Sequence, residues 1–194
     1  LNEGQRALAY QITSGVVRWR GYLEFALSRY TTRPIDRDIR YLLWMTLYQV
    51  AFMKKAHYHV IREAVDYAKG EKGQFVAGFV NAVLRRFTND GELRNLPPRE
   101  IAQHAFPGWL TGRWRRRFGE EDSDRLLAAL NNEPRFTLRV NTLTTTVDEA
   151  MGNLAADGIA ARPGRLSPSA LVVERLAPVI AGTLFQKGIL RVQG

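Results

Sequence analysis

Apolar residues recur at helical spacing from the start of the chain. Between Asn2 and Trp19 they fall three or four positions apart, and the stripe continues to Leu27, which predicts a long first helix. Gly15 and Gly21 lie inside this stretch and allow a break or bend within the helix. The chain therefore opens with a helix that has one apolar face.

Two more amphipathic helices follow a polar turn. Asp36 is a suitable N-cap for a helix whose apolar face extends to residue 51, and the proline two positions earlier fits a helix start. The next apolar stripe, residues 60–68, is predicted to end at Gly70, because glycine readily adopts the left-handed conformation at helix C-termini. No strand pattern appears before about residue 135.

The stretch GQFVAGFVNAVLRRF, residues 73–87, predicts a fourth helix. At about 100° per residue its large apolar side chains cover one half of the circumference, and the small residues Ala77, Gly78 and Ala82 cover most of the other half. We expect this helix to be buried nearly all round, as the central helix of a bundle. Asn81 then needs partners inside, because a buried amide without them costs about 1–3 kcal/mol. We therefore assign Asn81 a structural role rather than contact with a ligand.

Alternation replaces the helical pattern near Pro134. A polar connector at 88–100 precedes the last helical stretches, and after the proline RFTLRVN, SALVVE and GILRVQ each alternate as strands do. TVDEAMGNLAADGI, between the first two strands, indicates a short helix closed by Gly158. The predicted fold class is mainly α, with an all-helical bundle over residues 1–133 followed by a small α+β domain over residues 134–194.

Composition adds a strongly basic character to this pattern. The 194 residues include 28 Lys and Arg against 19 Asp and Glu, for a net charge of +9, and arginine is far commoner than lysine. Residues 1–119 hold 20 of the basic and 10 of the acidic side chains, so the excess lies in the helical part. An arginine-rich surface favours a polyanionic partner, since arginine binds phosphate well and its binding releases counterions.

Composition and spacing also exclude several classes of site. The chain has no cysteine, which excludes disulfides, thiolate catalysis and cysteine-ligated zinc. His57 and His59 are two positions apart and point to different sides of a helix, so they make a poor metal pair. The sequence has no glycine-rich phosphate loop, no paired carboxylates and no supported Ser-His-Asp arrangement. We therefore expect no catalytic residue, no metal site and no cofactor in these residues.

The apolar runs are too short for a membrane-spanning protein. No window approaches 18 uninterrupted apolar residues, and the start has no signal-peptide order. We expect a cytoplasmic protein with no membrane partner.

Ten basic residues are candidates for phosphate contacts. The segment PGWLTGRWRRRFG, residues 107–119, is the densest positive cluster and interleaves arginine with aromatic residues, a pattern that suits nucleic acid. EEDSD at 120–124 follows at once, and its four acids could neutralise much of the cluster within the protein. The candidates are Arg18, Arg20, Lys54, Lys55, Arg85, Arg86, Arg113, Arg115, Arg116 and Arg117.

Seven motifs follow one another along the chain: GVVRWRGYLEFAL, IRYLLWMTLYQVAFM, HVIREAVDYAKG, FVAGFVNAVLRRF, WLTGRWRRRFG, NNEPRFTLRVNTL and FQKGILRVQG. In this order they resemble the N-terminal part of the Sun/Fmu family, the bacterial ribosomal RNA small-subunit methyltransferase B. The part up to about residue 130 is also similar to the all-helical antitermination factor NusB, in which FVNAVL has a close counterpart. Residues 135–194 resemble the small α+β domain that precedes the methyltransferase domain of that family.

The resemblance implies an RNA-binding, substrate-positioning N-terminal region. Its parent enzyme would transfer methyl from S-adenosylmethionine to carbon 5 of a cytosine in small-subunit ribosomal RNA. In the family the cofactor loop and the cysteine nucleophile belong to the methyltransferase domain, so we expect this region to be inactive alone. The implied partners are small-subunit ribosomal RNA and the catalytic domain of the same parent chain, with no DNA. A strand pattern that runs to the last residues suggests that the α+β domain is incomplete.

Two other functions stay open at this point. A free-standing NusB-like module in transcription antitermination, with RNA and protein partners, is the main alternative, although the α+β tail counts against it. A purely structural or protein-interaction domain would be favoured if the basic residues were paired internally.

Overall fold

The computed structural model of the chain describes residues 2–53, 57–94, 96–132 and 135–193. It divides into two compact units, Leu1–Asn131 and Asn132–Gly194. The described residues of the first unit are helical, and those of the second form a four-stranded sheet with three helices. The predicted fold class, an all-helical bundle followed by a small α+β domain, is confirmed.

Side-chain caps define two of the helix starts in the first unit. Asn2 and Gln5 form a reciprocal capping box, and Asp36 accepts hydrogen bonds from the backbone N–H groups of Asp38 and Ile39, as its N-cap position predicted. The connector predicted at 88–100 is shorter than expected, because it contains the last two residues of α4, the single turn α5 and the first residues of α6. The helices are α1 (Glu3–Ser28), α2 (Arg37–Phe52), α3 (His57–Lys72), α4 (Gln74–Asn89), α5 (Gly91–Arg94), α6 (Pro98–Ala105) and α7 (Gly108–Asn131).

Helices α1 to α4 enclose the main core. Leu23 and Leu27 from α1 meet Leu43 and Leu47 from α2 and Leu84 from α4, and each of these side chains is at most 2% exposed. Burying one leucine of this kind stabilises the fold by about 1.5–3 kcal/mol. Helix α6 packs on α1, and α7 packs on α6, so α7 lies at the edge of the bundle.

The two glycines of α1 do not break the helix, which runs unbroken to Ser28. They allow close approach instead. A Cβ on Gly15 would lie 2.0 Å from the Tyr48 ring, and a Cβ on Gly21 would lie 2.2 Å from the backbone oxygen of His104. Each glycine therefore marks a helix crossing, at α2 and at α6 respectively.

Helix α3 ends two residues later than predicted. Gly70 lies inside the helix, and the left-handed backbone occurs at Gly73, whose φ is +86°. Both glycines can adopt this conformation, and the local sequence does not distinguish them. The four residues from 70 to 73 read GEKG, so either glycine satisfies the rule for a helix end.

The prediction that α4 is buried nearly all round is wrong. Val80, Val83 and Leu84 are buried, but Phe75 is 90% exposed and a Cβ on Gly78 would meet no heavy atom within 4 Å. Ala77 is buried with the large residues, whereas Gly78 and Ala82 lie on an exposed face, where such small residues leave little apolar area in water. Asn81 is half-buried at the edge of this face, and the described residues offer its side chain no hydrogen-bond partner. Its structural role stays a prediction.

The second unit is a two-layer α+β structure. Its strands pair antiparallel throughout, in the order β2-β3-β1-β4, and its helices pack on the face that carries Leu138, Leu171 and Leu190. The elements are β1 (Phe136–Val140), α8 (Val147–Ala156), β2 (Ala161–Pro163), β3 (Ala170–Val173), α9 (Ala177–Ala181), α10 (Thr183–Gln186) and β4 (Leu190–Val192).

Three strands and one helix of this unit agree with their predicted segments. A capping box between Thr146 and Glu149 begins α8, and Gly158 has the left-handed φ of +73° just beyond its end. The prediction missed β2, α9 and α10, which are too short to show a period. No helix in the described part of the chain is long and apolar enough to cross a membrane.

Candidate nucleic-acid interface

The predicted basic residues of α1 face two sides of the helix. Arg18 is half-buried and lies one turn before Gly21, on the side of α1 that meets α6. Arg20 is exposed and faces α2, where its Cζ lies 5.9 Å from the centroid of the Trp44 ring. The candidates Lys54 and Lys55 lie outside the described residues.

Arg85 and Arg86 are both exposed near the end of α4. Arg86 lies in the last turn, where a cation complements the helix dipole. Within the described ranges neither side chain has an acidic partner within 4.0 Å, so both guanidinium groups are available to a phosphate.

The arginine cluster of α7 is only partly neutralised. Arg113, Arg116 and Arg117 are exposed and make no ion pair with any described residue. Arg115 is half-buried, and its Nη2 lies 3.7 Å from Oδ1 of Asp124. Three of the four positive charges therefore stay on the surface.

The acids of 120–124 have other partners. Asp124, which is 8% exposed, contacts Arg99 of α6 and accepts a 2.9 Å hydrogen bond from Nε2 of Gln103. Glu121 and Asp122 both pair with Arg125, at 2.5 and 3.3 Å. The left-handed φ of +78° at Gly119 kinks α7 between the basic and the acidic stretch. Asp124 thus joins α6 to α7, and of the cluster these acids pair only with Arg115 among the described residues.

Exposed aromatic rings accompany these arginines. Trp109 is 69% exposed and Phe118 is 47% exposed, and the Cζ of Arg117 lies 5.7 Å from the Phe118 ring. Trp114 instead packs edge-on against Phe106, with ring centroids 5.8 Å apart. A surface that presents guanidinium groups beside accessible rings can bind phosphates and stack unpaired bases.

A second basic surface lies in a groove between α1 and α2, and sequence reasoning found only one of its arginines. The groove has a volume of about 660 Å³, within the range of ligand sites, and Arg20, Arg37 and Arg40 all line it. Arg37 pairs weakly with its neighbour Asp38 at 3.7 Å, while Arg20 and Arg40 have no ion-pair partner among the described residues.

Aromatic and apolar side chains form the floor of this α1–α2 groove. Tyr41 is 49% exposed, and its ring lies 5.6 Å from that of Trp44. Trp44 is fixed by the hydrogen bond that its indole N–H donates to Glu24, at 3.1 Å. The Nε of Arg40 is buried with no hydrogen-bond partner in the described part of the chain. The groove therefore combines unneutralised cations, one unsatisfied donor and an accessible ring.

The signal for this groove is present in the sequence. Arg37, Arg40 and Tyr41 are three and four positions apart at the start of α2, so they share the edge of its apolar stripe. A helical-wheel projection of α2 alone would have placed these three residues on one side of the helix. Their proximity to Arg20 depends on how α1 crosses α2.

The cavity beside α4 is more apolar than this groove. It has a volume of about 570 Å³, and its lining combines Val76, Phe79 and other apolar side chains with polar ones that include Arg33. Lys72 on its wall pairs with Asp36 and Asp38, at 3.5 and 3.6 Å, so its charge is neutralised. The described residues also contain no group of three or more His, Asp or Glu side chains able to hold a metal ion.

Two family models match the chain. Residues 1–89 match the NusB family. Residues 106–180 match the Methyltr_RsmF/B-like, ferredoxin-like domain. The resemblance inferred from the seven motifs, a NusB-like part followed by a small domain of the ribosomal RNA methyltransferase type, is confirmed.

Curated relatives match along nearly the whole chain. The ribosomal RNA small subunit methyltransferase B of Photorhabdus laumondii is 28% identical over 197 residues, covering 100% of this chain and 46% of the relative. The probable ribosomal RNA small subunit methyltransferase B of Bacillus subtilis is 31% identical over 204 residues, covering 100% of this chain and 45% of the relative. The chain thus spans less than half the length of these relatives, at their N-terminal end.

A solved structure agrees with the fold. The crystal structure of PH0851 superposes with a TM-score of 0.67 over 99% of this chain and 45% of that chain, at 18% identity. At that identity the likeness shows the fold alone.

Proposed function

We propose, from the premise that this chain joins a NusB-family domain to a ferredoxin-like domain of the RsmF/B methyltransferase type, that it binds and positions the RNA substrate of a ribosomal RNA methyltransferase. Residues 1–133 would be the RNA-binding domain. Residues 134–194 would link it to a methyltransferase domain. Methyl transfer to carbon 5 of a cytosine would take place in that further domain, in the cytoplasm.

The α1–α2 groove is the observation that carries this proposal. Arg20 and Arg40 line it without an acidic partner among the described residues, and Tyr41 presents a half-exposed ring beside them. Guanidinium groups bind the phosphates of a strand and release its counterions, while the ring stacks an unpaired base. The exposed arginines of α7 would add phosphate contacts of the same kind. Contacts of this kind position an RNA without reading its sequence.

The described residues do not fit S-adenosylmethionine, the cofactor implied for the whole enzyme. In open α/β sheets, cofactors with an adenosine group bind at the carboxyl ends of parallel strands, beside a strand–turn–helix unit. All four strands of the second unit pair antiparallel, so the described sheet has no such edge. In this proposal the chain holds the RNA and leaves cofactor binding to the methyltransferase domain.

A free-standing NusB-like module in transcription antitermination is the weaker alternative. Such a module needs only the helical unit. Here residues 106–180 match a methyltransferase-type domain, and both curated relatives carry the methyltransferase name. These matches favour the methyltransferase proposal.

Fluorescence anisotropy with a labelled small-subunit ribosomal RNA hairpin tests the proposal. The full chain is titrated at several salt concentrations, beside the variants R20Q/R40Q and Y41A. We expect R20Q/R40Q to make the slope of log affinity against log salt shallower by about 1.4–1.8, since each lost phosphate contact removes about 0.7–0.9. Y41A removes one stacking platform and is expected to cost about 1–3 kcal/mol of binding free energy with an unchanged slope.

The variant R62Q/K69Q is the matched control. It removes two positive charges from exposed positions of α3 that do not line the groove, one of them, Arg62, already paired with Asp66 at 3.6 Å. We expect its salt slope to stay closer to that of the unmodified chain. Equal slopes for R20Q/R40Q and R62Q/K69Q would show that the groove does not contact RNA. No binding at low salt by the folded chain would refute the RNA-positioning function and favour a protein-interaction domain.

A further inference from the structure

The sheet of the second unit has one face without a helix of that unit on it. The three helices all pack against the face that carries Leu138 and Leu190. Side chains alternate along a strand, so Thr137 and Arg139 of β1 point to the opposite face, together with Arg191 of β4. Both arginines are exposed. This open sheet face is defined here by Thr137, Arg139, Arg162, Ala170, Val172 and Arg191.

Two arginines of the open sheet face lie directly opposite each other. Arg139 on β1 is the register partner of Arg191 on β4. Side chains in such positions have Cβ atoms about 4.5–5.5 Å apart, and like charges there destabilise the strand pair. The fold thus holds two positive charges together at a site where a neutral pair would be more stable.

Neither arginine is neutralised within the described residues. No acidic side chain of those ranges lies within 4.0 Å of Arg139 or Arg191. Glu174 is the acid nearest to this face along β3, and it lies four residues beyond Ala170, the residue opposite Arg139. At about 3.3 Å per residue that separation is about 13 Å. Within the described part of the chain the two charges are therefore unpaired, and both are open to an anion from outside the unit.

The surroundings of the pair form a polar cleft. Arg139, Asn141, Arg191 and Gln193 line a cavity of about 750 Å³. The Asn141 carboxamide oxygen accepts a hydrogen bond from the Leu143 N–H at 3.3 Å, which leaves its NH₂ group as a donor. The cleft thus presents guanidinium and amide donors beside each other.

The guanidinium of Arg191 is supported on two sides. Its Cζ lies 6.0 Å from the centroid of the Phe185 ring. Its Nη2 would lie 3.4 Å from a Cβ added to Gly188. The φ of this residue is +72°, a left-handed value that favours glycine. The exposed guanidinium thus lies at the outer limit of a cation–π contact with this ring, and its side chain lines the cleft.

We propose that the open sheet face is a second RNA-binding site, at which Arg139 and Arg191 jointly hold a backbone phosphate. The inference rests on the proposed RNA-positioning function but concerns a different domain from the α1–α2 groove. Paired guanidinium groups suit a phosphodiester, because each can donate two parallel hydrogen bonds to its oxygens. The amide groups of Asn141 and Gln193 would donate or accept at the neighbouring ribose.

RNA fits this face better than the acidic surface of a protein does. A stable protein interface needs a buried apolar centre with large anchoring side chains. The middle of the open sheet face carries only Thr137, Ala170 and Val172 between its arginines. Small side chains flanked by guanidinium groups leave room for a strand of nucleic acid and offer a protein partner little apolar area.

The test measures RNA binding and sheet stability on the same variants of the chain. R139Q/R191Q is compared with R165Q/R175Q, which removes the same charge from exposed loop positions of the same unit. Binding of a labelled single-stranded RNA is followed by anisotropy across a salt series, and exchange of the β1 and β4 amides is followed by NMR. The variant R139K/R191K keeps the charge and serves as a second control.

We expect the salt slope of R139Q/R191Q to be shallower than that of R165Q/R175Q by about 0.7–1.4, the contribution of one or two phosphate contacts on a single strand. R139K/R191K is expected to recover most of the slope. Amide exchange in β1 and β4 should slow or stay unchanged in R139Q/R191Q, because the like-charge contact is relieved. Weaker binding with an equally stable sheet identifies a binding role that a structural role would not produce.

Two results would overturn the inference, and they separate it from the proposed function. Equal slopes for R139Q/R191Q and R165Q/R175Q, with a reduced slope in R20Q/R40Q, would reject the sheet site and keep the helical one. Protection of β1 and β4 amides by an acidic peptide but not by RNA would identify a protein as the occupant.

Discussion

Replacing Gly21 with alanine should separate α1 from α6 and weaken the helical unit. The new Cβ would lie 2.2 Å from the His104 backbone oxygen and 3.1 Å from two backbone atoms of Ala105. Ordinary van der Waals contact begins at 3.4 Å, so the two helices must move apart by about 1.2 Å at this point. Backbone atoms cannot rotate away as a side chain can, so the packing on both sides of the crossing must change.

The expected change in the free energy of unfolding of G21A follows from two opposing effects. Adding a methyl group to a filled site costs about 1–3 kcal/mol. Alanine in place of glycine inside a helix returns about 0.8–1 kcal/mol. The expected net loss for G21A is therefore about 0–2 kcal/mol.

G78A is the matched control for this prediction. Gly78 is also helical, but its Cβ would meet no heavy atom within 4 Å. We expect G78A to gain the full helix-propensity effect of about 0.8–1 kcal/mol. The difference between the two variants cancels that effect and isolates the α1–α6 contact at about 1–3 kcal/mol.

Urea unfolding followed by far-ultraviolet circular dichroism measures both variants. The helical unit contains most of the helix, so the signal reports mainly on it. A G21A chain as stable as G78A would refute the close packing of α1 on α6. The contact also has a functional consequence, since α6 carries Arg99 and Gln103, which hold Asp124 beside the arginine cluster of α7.

Two further predictions concern charged groups of the helical unit. D124N should lower the free energy of unfolding by about 1–2 kcal/mol, a modest loss because the arginine partners of Asp124 are 58% and 37% exposed. The same change frees Arg115 and should steepen the salt slope of RNA binding. Urea unfolding measures the first effect and anisotropy the second, and an unchanged slope would show that Arg115 faces no phosphate. The hydrogen bond that Tyr30 donates to Asp90, at 2.6 Å, lowers the pKa of that carboxyl group, and burial together with this bond raises the pKa of the Tyr30 phenol. Stability from the carboxylate is therefore present above its ordinary pKa of about 4 and lost as pH falls, and stability from the phenol is complete below about 10 and lost as pH rises. Y30F should flatten both limbs of a plot of urea midpoint against pH, and an unchanged plot would contradict the assignment.

The sequence predicted those features that depend on neighbouring residues alone. Apolar spacing of three and four identified the long helices, and alternation identified β1, β3 and β4, because each period reflects the geometry of one element. Asp36 was recognisable as a cap because its carboxylate bonds N–H groups only two and three residues away. The basic excess of the helical part was likewise a property of composition.

Features that depend on the opposing element were not predictable in this way. Gly15 and Gly21 could bend a helix or admit a neighbour, and only the positions of Tyr48 and His104 show that they admit a neighbour. The apolar wheel of α4 did not reveal that one face would stay in water, because burial depends on how many helices surround it. The acids after Gly119 were close in sequence to the arginine cluster, yet Asp124 turned toward Arg99 of another helix.

The same distinction between local and tertiary features applies to the candidate site. The sequence by itself determined which residues carry positive charge and which helices present them, since charge and helical spacing are local properties. Only the tertiary structure brought Arg20 beside Arg40 and Tyr41, and only strand pairing placed Arg139 opposite Arg191. These pairs join residues 20 and 52 positions apart, and the angle of a helix crossing or the register of a sheet follows from packing across the whole core rather than from either segment alone.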